Sequence, residues 1–274
     1  MSAEPPAPRF DLFGVLKATG QTLWRQRRPL IAAGVLACFL PAFLLSQAID
    51  IATYLLQDVL HPAYAPYGLT TAHWWWWAIR ILLRAAEGVV ASTPIIWLTL
   101  CDQQGRPASL TELRALLTKS FGALFLISLL FFVRSWGEPL GYLLPVKHPG
   151  LAIGMILRLV LILFMAWFGV APSAVINEGA DFRHALARSG WLLKGRRLIY
   201  AGLNCGLILA VEATWKPIEA LVDLAGVTNS RAHSGLSYLL FQVPWLLATV
   251  FGTVLYVEMR RLRDPIADSQ DASG

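Results

Sequence analysis

The sequence predicts an all-α membrane protein with six transmembrane helices and three interfacial amphipathic helices. Three observations predict it. The 274 residues are 56% hydrophobic and only 15% charged, against roughly 25% charged in an ordinary soluble domain. The apolar residues gather in blocks of about 20, the length a helix needs to cross hydrocarbon. The Lys and Arg residues flank those blocks and alternate in density from one connection to the next. No linker divides the chain, so one membrane domain over 29–257 is expected, after an N-terminal segment 1–28 and before a polar tail 258–274.

Residues 1–8 are rich in Pro and Ala and are expected to be disordered. Phe10, Phe13, Leu16 or the stem of Lys17, Gly20, and Leu23 or Trp24 then recur at helical spacing and end in Trp24-Arg25-Gln26-Arg27-Arg28-Pro29. That pattern describes an amphipathic helix lying in the interface, with its basic end toward water. The first apolar block follows too long a lead for a cleaved signal and reads as a span. Spans are expected at about 30–55, 75–100, 121–144, 151–176, 198–221 and 236–257. The second opens with four tryptophans, Trp74 to Trp77, an aromatic anchor at headgroup level, and the third carries a break at Gly137-Glu138-Pro139.

Two connections carry helices of their own. Ser109-Leu110-Thr111-Glu112 is a capping-box pattern ahead of Leu113, Leu116, Leu117 and Phe121, which predicts an interfacial helix at about 109–119 that turns into the third span. Asp181 can cap a second one at about 181–194, carrying Phe182, Ala185, Leu186, Ser189 and Leu193. Each follows a span with a proline near its end, Pro94 or Pro172, so the order span, proline, interfacial helix, span occurs twice and reads as a weak internal repeat.

The placement of positive charge sets the orientation. Sixteen Lys and Arg residues fall in the N-terminal segment, the connections after the second and fourth blocks, and the tail; three fall in the opposite connections. Both termini are therefore expected in the cytoplasm. The net charge of +6 follows the same pattern and not a basic face with interleaved aromatics, so no nucleic-acid partner is expected. Cys38, Cys101 and Cys205 are scattered, and His61, His73, His148, His184 and His233 lack ligand spacing, so neither a disulfide framework nor a metal is expected. No Gly-rich phosphate loop, nucleophile elbow or HExxH is present, and no cofactor is expected.

Ionisable residues inside spans cost roughly 2.5–3.5 kcal/mol each, so each needs a physical reason. They are Arg80, Arg84 and Glu87 in the second span, Arg158 in the fourth, and Glu212, Lys216 and Glu219 in the fifth. With the orientation above, all lie between the midplane and the external face, near Asp50, Arg134 and Glu138 at the rim. If Arg80, Arg84, Glu87, Arg158, Glu212 and Lys216 converge, they line a polar cavity open to the outside, where arginine forks suit a phosphate or carboxylate. The competing reading, favoured for Glu212 and Lys216 above all, is mutual pairing and snorkelling that glue the bundle. Arg188, Lys194, Arg196 and Arg197 are candidate contacts for anionic headgroups of the inner leaflet, and serve equally as topology determinants. Gly88, Gly154 and Gly169 are expected to permit close helix packing.

Ala171-Pro172-Ser173-Ala174-Val175-Ile176-Asn177-Glu178, then Ala185-Leu186-Ala187-Arg188-Ser189, then Leu192-Leu193-Lys194-Gly195-Arg196-Arg197, resembles a bacterial six-span family. It is the glycerophosphoryl diester phosphodiesterase membrane domain, with the related YciC-like integral membrane proteins. Its pattern is a proline near a span end, Glu-Gly, an Arg-Ser-Trp helix and a Gly-Arg entry to the next span; here Gly190 separates Ser189 from Trp191. The opening Phe10 to Arg28 and the closing Tyr256 to Arg261 also fit. The resemblance implies a six-span architecture and residence in the bacterial inner membrane. It implies no phosphodiesterase activity, because the catalytic barrel's His-Arg-Gly and paired-carboxylate signature has no counterpart in these residues.

Three functions stay open at this level. The first is a non-enzymatic membrane protein that organises or handles lipids or envelope components, with membrane lipids as partners. The second is a small transporter with an external cavity for an anionic substrate, and the third, least expected, is a membrane-embedded enzyme acting on lipid headgroups.

Overall fold

The computed structural model describes residues 10–55, 71–131, 167–203 and 230–264, with the single positions 206, 213 and 217. Its elements are helices, and no strand occurs among the described residues. In chain order they are α1 (Leu12–Arg25), α2 (Arg27–Ala33), a π-helical turn (Gly34–Phe39), α3 (Leu40–Leu55), α4 (Thr71–Gln104), α5 (Leu110–Phe131), α6 (Ala171–Glu178), α7 (Phe182–Leu192) and α8 (Ser230–Arg263). Three stretches are long and apolar enough to cross a membrane: Arg27–Ile49, Ala78–Gln104 and Leu110–Phe131.

Gln26 separates α1 from α2: its ψ of 15° leaves the helical region while its N–H still reaches the Thr22 carbonyl at 2.8 Å. Pro29 falls in the first turn of α2, where a missing N–H costs nothing. From Arg27 the chain runs helically to Leu55, so the expected start of the first span holds to within a few residues.

α4 is the central helix. At 34 residues it is about 50 Å long, more than the hydrocarbon thickness of about 30 Å. Its second half is buried nearly all round, from Val89 through Ile95, Ile96, Trp97 and Leu100 to Cys101, which is the mark of a helix surrounded by others. Ser92, Thr93 and Thr99 donate to the carbonyls of Gly88, Val89 and Ile95 at 2.7 Å each, so these hydroxyls are satisfied within their own helix. Pro94 does not interrupt it. α4 packs against both α5 and α8, and α1 lies against α8. The core of Val170, Ala174, Leu192, Leu193, Val250, Val254, Tyr256 and Met259 gathers around the second half of α4.

The two stretches of the expected repeat share one structural feature. Gly105 ends α4 with φ 67° and Gly179 ends α6 with φ 66°, the left-handed cap that glycine adopts without steric cost. A new helix follows each glycine. Beyond that the two halves differ. α5 continues unbroken from Leu110 to Phe131, where a surface helix turning into a span was expected; Lys119-Ser120-Phe121-Gly122 contains no proline and no left-handed residue to turn it. After α7, residues 193–196 do form a turn, with Gly195 at φ 81°, before the helical stretch 197–203.

The fourth span was expected to run to Ile176 without interruption. Instead the chain turns at Gly169-Val170 and restarts as α6. Pro172 lies in the first turn of α6 and cannot donate to the Phe168 carbonyl, so a helix starting there is the cheaper solution. The N-terminal tail 1–8, the Gly137-Glu138-Pro139 break and most of the fourth and fifth spans lie outside the described residues.

Candidate functional site

Among the described residues two groups of polar side chains stand out, one on the first half of α4 and one where the ends of α1, α4, α6, α7 and α8 meet. On α4, Arg84 donates to Glu87 at 2.7 Å, an i,i+3 ion pair with side chains 22% and 9% exposed. Arg80 lies one turn earlier and is half-buried. Of the residues predicted to line the cavity, Arg80, Arg84 and Glu87 are described, and Arg158, Glu212 and Lys216 lie outside the described residues. Reversing Arg84 to Glu should cost about 1.5 kcal/mol through the lost charged hydrogen bond. Adding Glu87→Arg should recover most of it, read as yield of monodisperse protein in detergent. No recovery in the double variant would mean that Arg84 serves something other than its neighbour.

The second group is larger, and sequence reasoning had not placed most of it. Asp102, near the end of α4, is a clamp for α1. Its Oδ2 accepts from Thr22 Oγ1 at 2.7 Å and from Arg25 Nη2 at 2.8 Å, and its Oδ1 accepts from Gln26 Nε2 at 3.2 Å. The carboxylate is 6% exposed, which strengthens each bond through the low local dielectric. Gln103 adds a fourth tie by donating to Thr22 Oγ1 at 2.8 Å. Asp102→Ala should lower stability by about 2 kcal/mol, since three donors lose one acceptor. A thermal scan would check this, and an unchanged midpoint would refute the clamp.

From α4 the network passes to α6 and α8. Gln104 donates to Asn177 at 2.8 Å, Asn177 donates to Tyr256 Oη at 3.1 Å, and Tyr256 donates to Glu178 Oε1 at 2.6 Å. Glu178 also receives Arg188 Nε from α7 at 3.1 Å, shared between its two oxygens. Arg188 reaches Asp264 with Nη2 at 2.7 Å. Burial acts against the Arg188 charge, but hydrogen bonds and attraction from Asp264 and Glu178 outweigh it and raise its pKa above the ordinary arginine value. Its guanidinium also sits over the Trp191 ring, 4.9 Å from the centroid.

Asp181 caps α7 as expected, its Oδ1 accepting from the His184 N–H at 2.8 Å. The capping-box partner Glu112 is engaged by Arg106, the residue following Gly105. Ser189 is fully buried and donates to the Trp167 carbonyl at 3.2 Å.

The four residues read as headgroup contacts are brought together, and three of them turn inward. Arg188 is held by Glu178 and Asp264. Arg196 lies over the Phe10 ring at 4.9 Å and donates to Met259 Sδ at 3.2 Å; burial and then repulsion from Arg263 lower its pKa, with Glu258 partly offsetting. Arg197 lies over Trp167 at 4.6 Å and donates to the Gly190 carbonyl at 3.1 Å. Lys194 keeps an exposed side chain while its carbonyl accepts from Arg263.

Of the missed residues, Asp102, Gln104, Asn177, Tyr256 and Asp264, the first three share one signal. Asp102 to Gln104 and Asn177-Glu178 are the polar ends of two apolar stretches, each directly before a left-handed glycine. Chemically the group holds helix ends: Asp102 is bound to Arg25, and Glu178 and Asp264 are both bound to Arg188. No three His, Cys, Asp or Glu residues are placed to hold a metal among the described residues. No family model, curated protein or solved structure matches the chain.

Proposed function

We propose that this chain is a non-enzymatic integral membrane protein that crosses a bacterial inner membrane six times, with both termini in the cytoplasm, and organises or handles lipids or envelope components. The observation that carries the reading is the exposed apolar surface of α2, the π-turn and α3. Ile31, Leu36 and Leu44 are each more than half exposed, on a stretch long enough to cross hydrocarbon, and so is Ile51 just beyond it. In water a patch of that size drives aggregation; in a bilayer it faces its own solvent. α8, at 34 residues, has the length of a further span.

The charge pattern supports the orientation. Arg27, Arg28, Lys119, Arg183, Lys194 and Arg261 are exposed, and they belong to the segments and connections that join around the Asp102 and Glu178 networks. The residues that carry the family resemblance support the same reading, since Arg188 is bonded to Glu178 and the buried Ser189 to the Trp167 carbonyl. The transporter reading rests on convergence with Arg158, Glu212 and Lys216, which lie outside the described residues.

Two measurements test the proposal. The protein should resist alkaline carbonate extraction from membranes. A cysteine at Lys194, in a background lacking native cysteines, should react with a membrane-impermeant maleimide only after the inner membrane is opened. Reaction in intact spheroplasts would overturn the orientation, and release by carbonate would overturn membrane integration.

A further inference from the structure

α1 packs one side on the bundle, with Val15 in the core and Ala18 and Leu23 against it, and still leaves large apolar residues on the other side. The side turned to the bundle is Val15, Thr19 and Thr22, all buried, with Thr22 on Asp102. The side turned away carries Phe13, Leu16 and Trp24, which are 76%, 46% and 70% exposed. At 100° per residue, Phe13, Leu16, Lys17, Gly20 and Trp24 fall on one arc of about 100°, opposite Val15 and Thr22. A helix already packed on one side that exposes Phe13, Leu16 and Trp24 on the other is suited to an apolar medium on its outer side.

Charge specifies that medium further. From Leu12 to Ala33 the chain has no Asp or Glu and has Lys17, Arg25, Arg27 and Arg28. Arg25 is committed to Asp102, whereas Lys17, Arg27 and Arg28 are exposed. The Arg27 guanidinium lies over Trp24, 4.4 Å from the ring centroid, so a cation and an aromatic share one position at the break between α1 and α2. Aromatic rings and basic side chains together are what an anionic headgroup layer accepts, the ring at the acyl boundary and the cation at phosphate level.

We propose that α1 is a lipid-binding platform: clamped in rotation by Asp102, it lays Phe13, Leu16 and Trp24 into the surface of the membrane that Arg27 enters, and selects anionic phospholipid through Lys17, Arg27 and Arg28. The proposal rests on the membrane reading above and names the partner of one of its faces. It also moves headgroup recognition away from Arg188, Arg196 and Arg197, which are engaged within the protein.

The test uses the full chain, with Cys38, Cys101 and Cys205 replaced by alanine and Gly20→Cys carrying an environment-sensitive fluorophore. Gly20 suits the probe because it lies on the outward arc and a Cβ there meets nothing within 4 Å. The labelled protein is placed in nanodiscs of phosphatidylcholine with increasing phosphatidylglycerol, some with acyl chains brominated near the headgroup. The expected result is a blue shift and bromine quenching that grow with the phosphatidylglycerol fraction. In K17Q/R27Q/R28Q the midpoint should move up by about tenfold or the growth should vanish, because each cation contributes severalfold at an anionic surface.

A probe that stays in water at every composition overturns the platform, and quenching that ignores phosphatidylglycerol overturns the anionic selectivity. Carbonate extraction of the same labelled protein separates the two levels. A chain that stays in the membrane while its probe reports water refutes this inference alone, and a chain that is released refutes the membrane reading beneath it.

Discussion

Gly169→Ala should cost the protein about 3 kcal/mol, the upper range for forcing an extra carbon into a packed interior. Gly169 sits at the turn before α6, and a Cβ built there overlaps the ring of Tyr200 at its hydroxyl and two ring carbons. Tyr200 is 4% exposed, so its ring has little room to retreat. On its far side a Cβ at Gly252 of α8 would lie 3.6 Å from the same hydroxyl. The ring is thus held between the turn and α8, and the close approach depends on the missing side chain at 169. In a thermal scan the substitution should lower the midpoint by roughly 6–12 °C, using about 2–4 °C per kcal/mol for chains of this size. Combining Gly169→Ala with Tyr200→Leu should recover part of the loss, because the smaller side chain opens the overlap. An unchanged midpoint for Gly169→Ala would show that the turn and Tyr200 are not in contact.

Glu178→Ala is the second large effect, at about 3 kcal/mol, the low end for breaking a buried pair because its side chain and that of Arg188 retain some exposure. One change removes the acceptor of Arg188 Nε and of the Tyr256 hydroxyl together. Tyr256 is fully buried and finds no water to replace Glu178. Glu178→Gln should cost less, since an amide oxygen still accepts from Tyr256 and only the charge is lost. Asp264→Ala should cost about 1 kcal/mol or less, because that carboxylate is 34% exposed and solvent screens it. The ordering Glu178→Ala, Glu178→Gln, Asp264→Ala, measured as midpoint in one detergent, is the test. Equal losses for the two Glu178 variants would show that charge alone matters and that the Tyr256 bond contributes nothing.

The helical character of the chain, the start of the first span near residue 30 and the cap at Asp181 were legible in the sequence. Each depends on a local rule: apolar block length, a change in composition, or a side chain bonding its own backbone three residues on. The left-handed glycines after the two proline-bearing stretches belong to the same class, since only glycine occupies that conformation without penalty. Two boundaries departed from expectation, the turn expected before the third span and the end of the fourth. At Pro172 the chain turns before α6, whereas at Pro94 α4 runs on unbroken among the helices packed against it. The same residue type gave a break in one place and none in the other, and packing made the difference.

The functional residues divide in the same way. Block lengths and the distribution of Lys and Arg are enough to predict a chain that needs hydrocarbon around it, because burial and hydration energies add along the chain without reference to partners. Which charges are engaged is a property of space. Arg188 and Asp264, or Thr22 and Asp102, are about 80 residues apart in sequence and within 3 Å in the fold. Their bonds exist only once α1, α4, α7 and α8 have been packed. The tertiary structure therefore decided that three of the four predicted headgroup arginines and lysines turn inward, and that the outward face of α1 carries Phe13, Leu16 and Trp24. Hydrogen bonds are directional and short-ranged, so no count of residue types along a chain foretells which donor meets which acceptor.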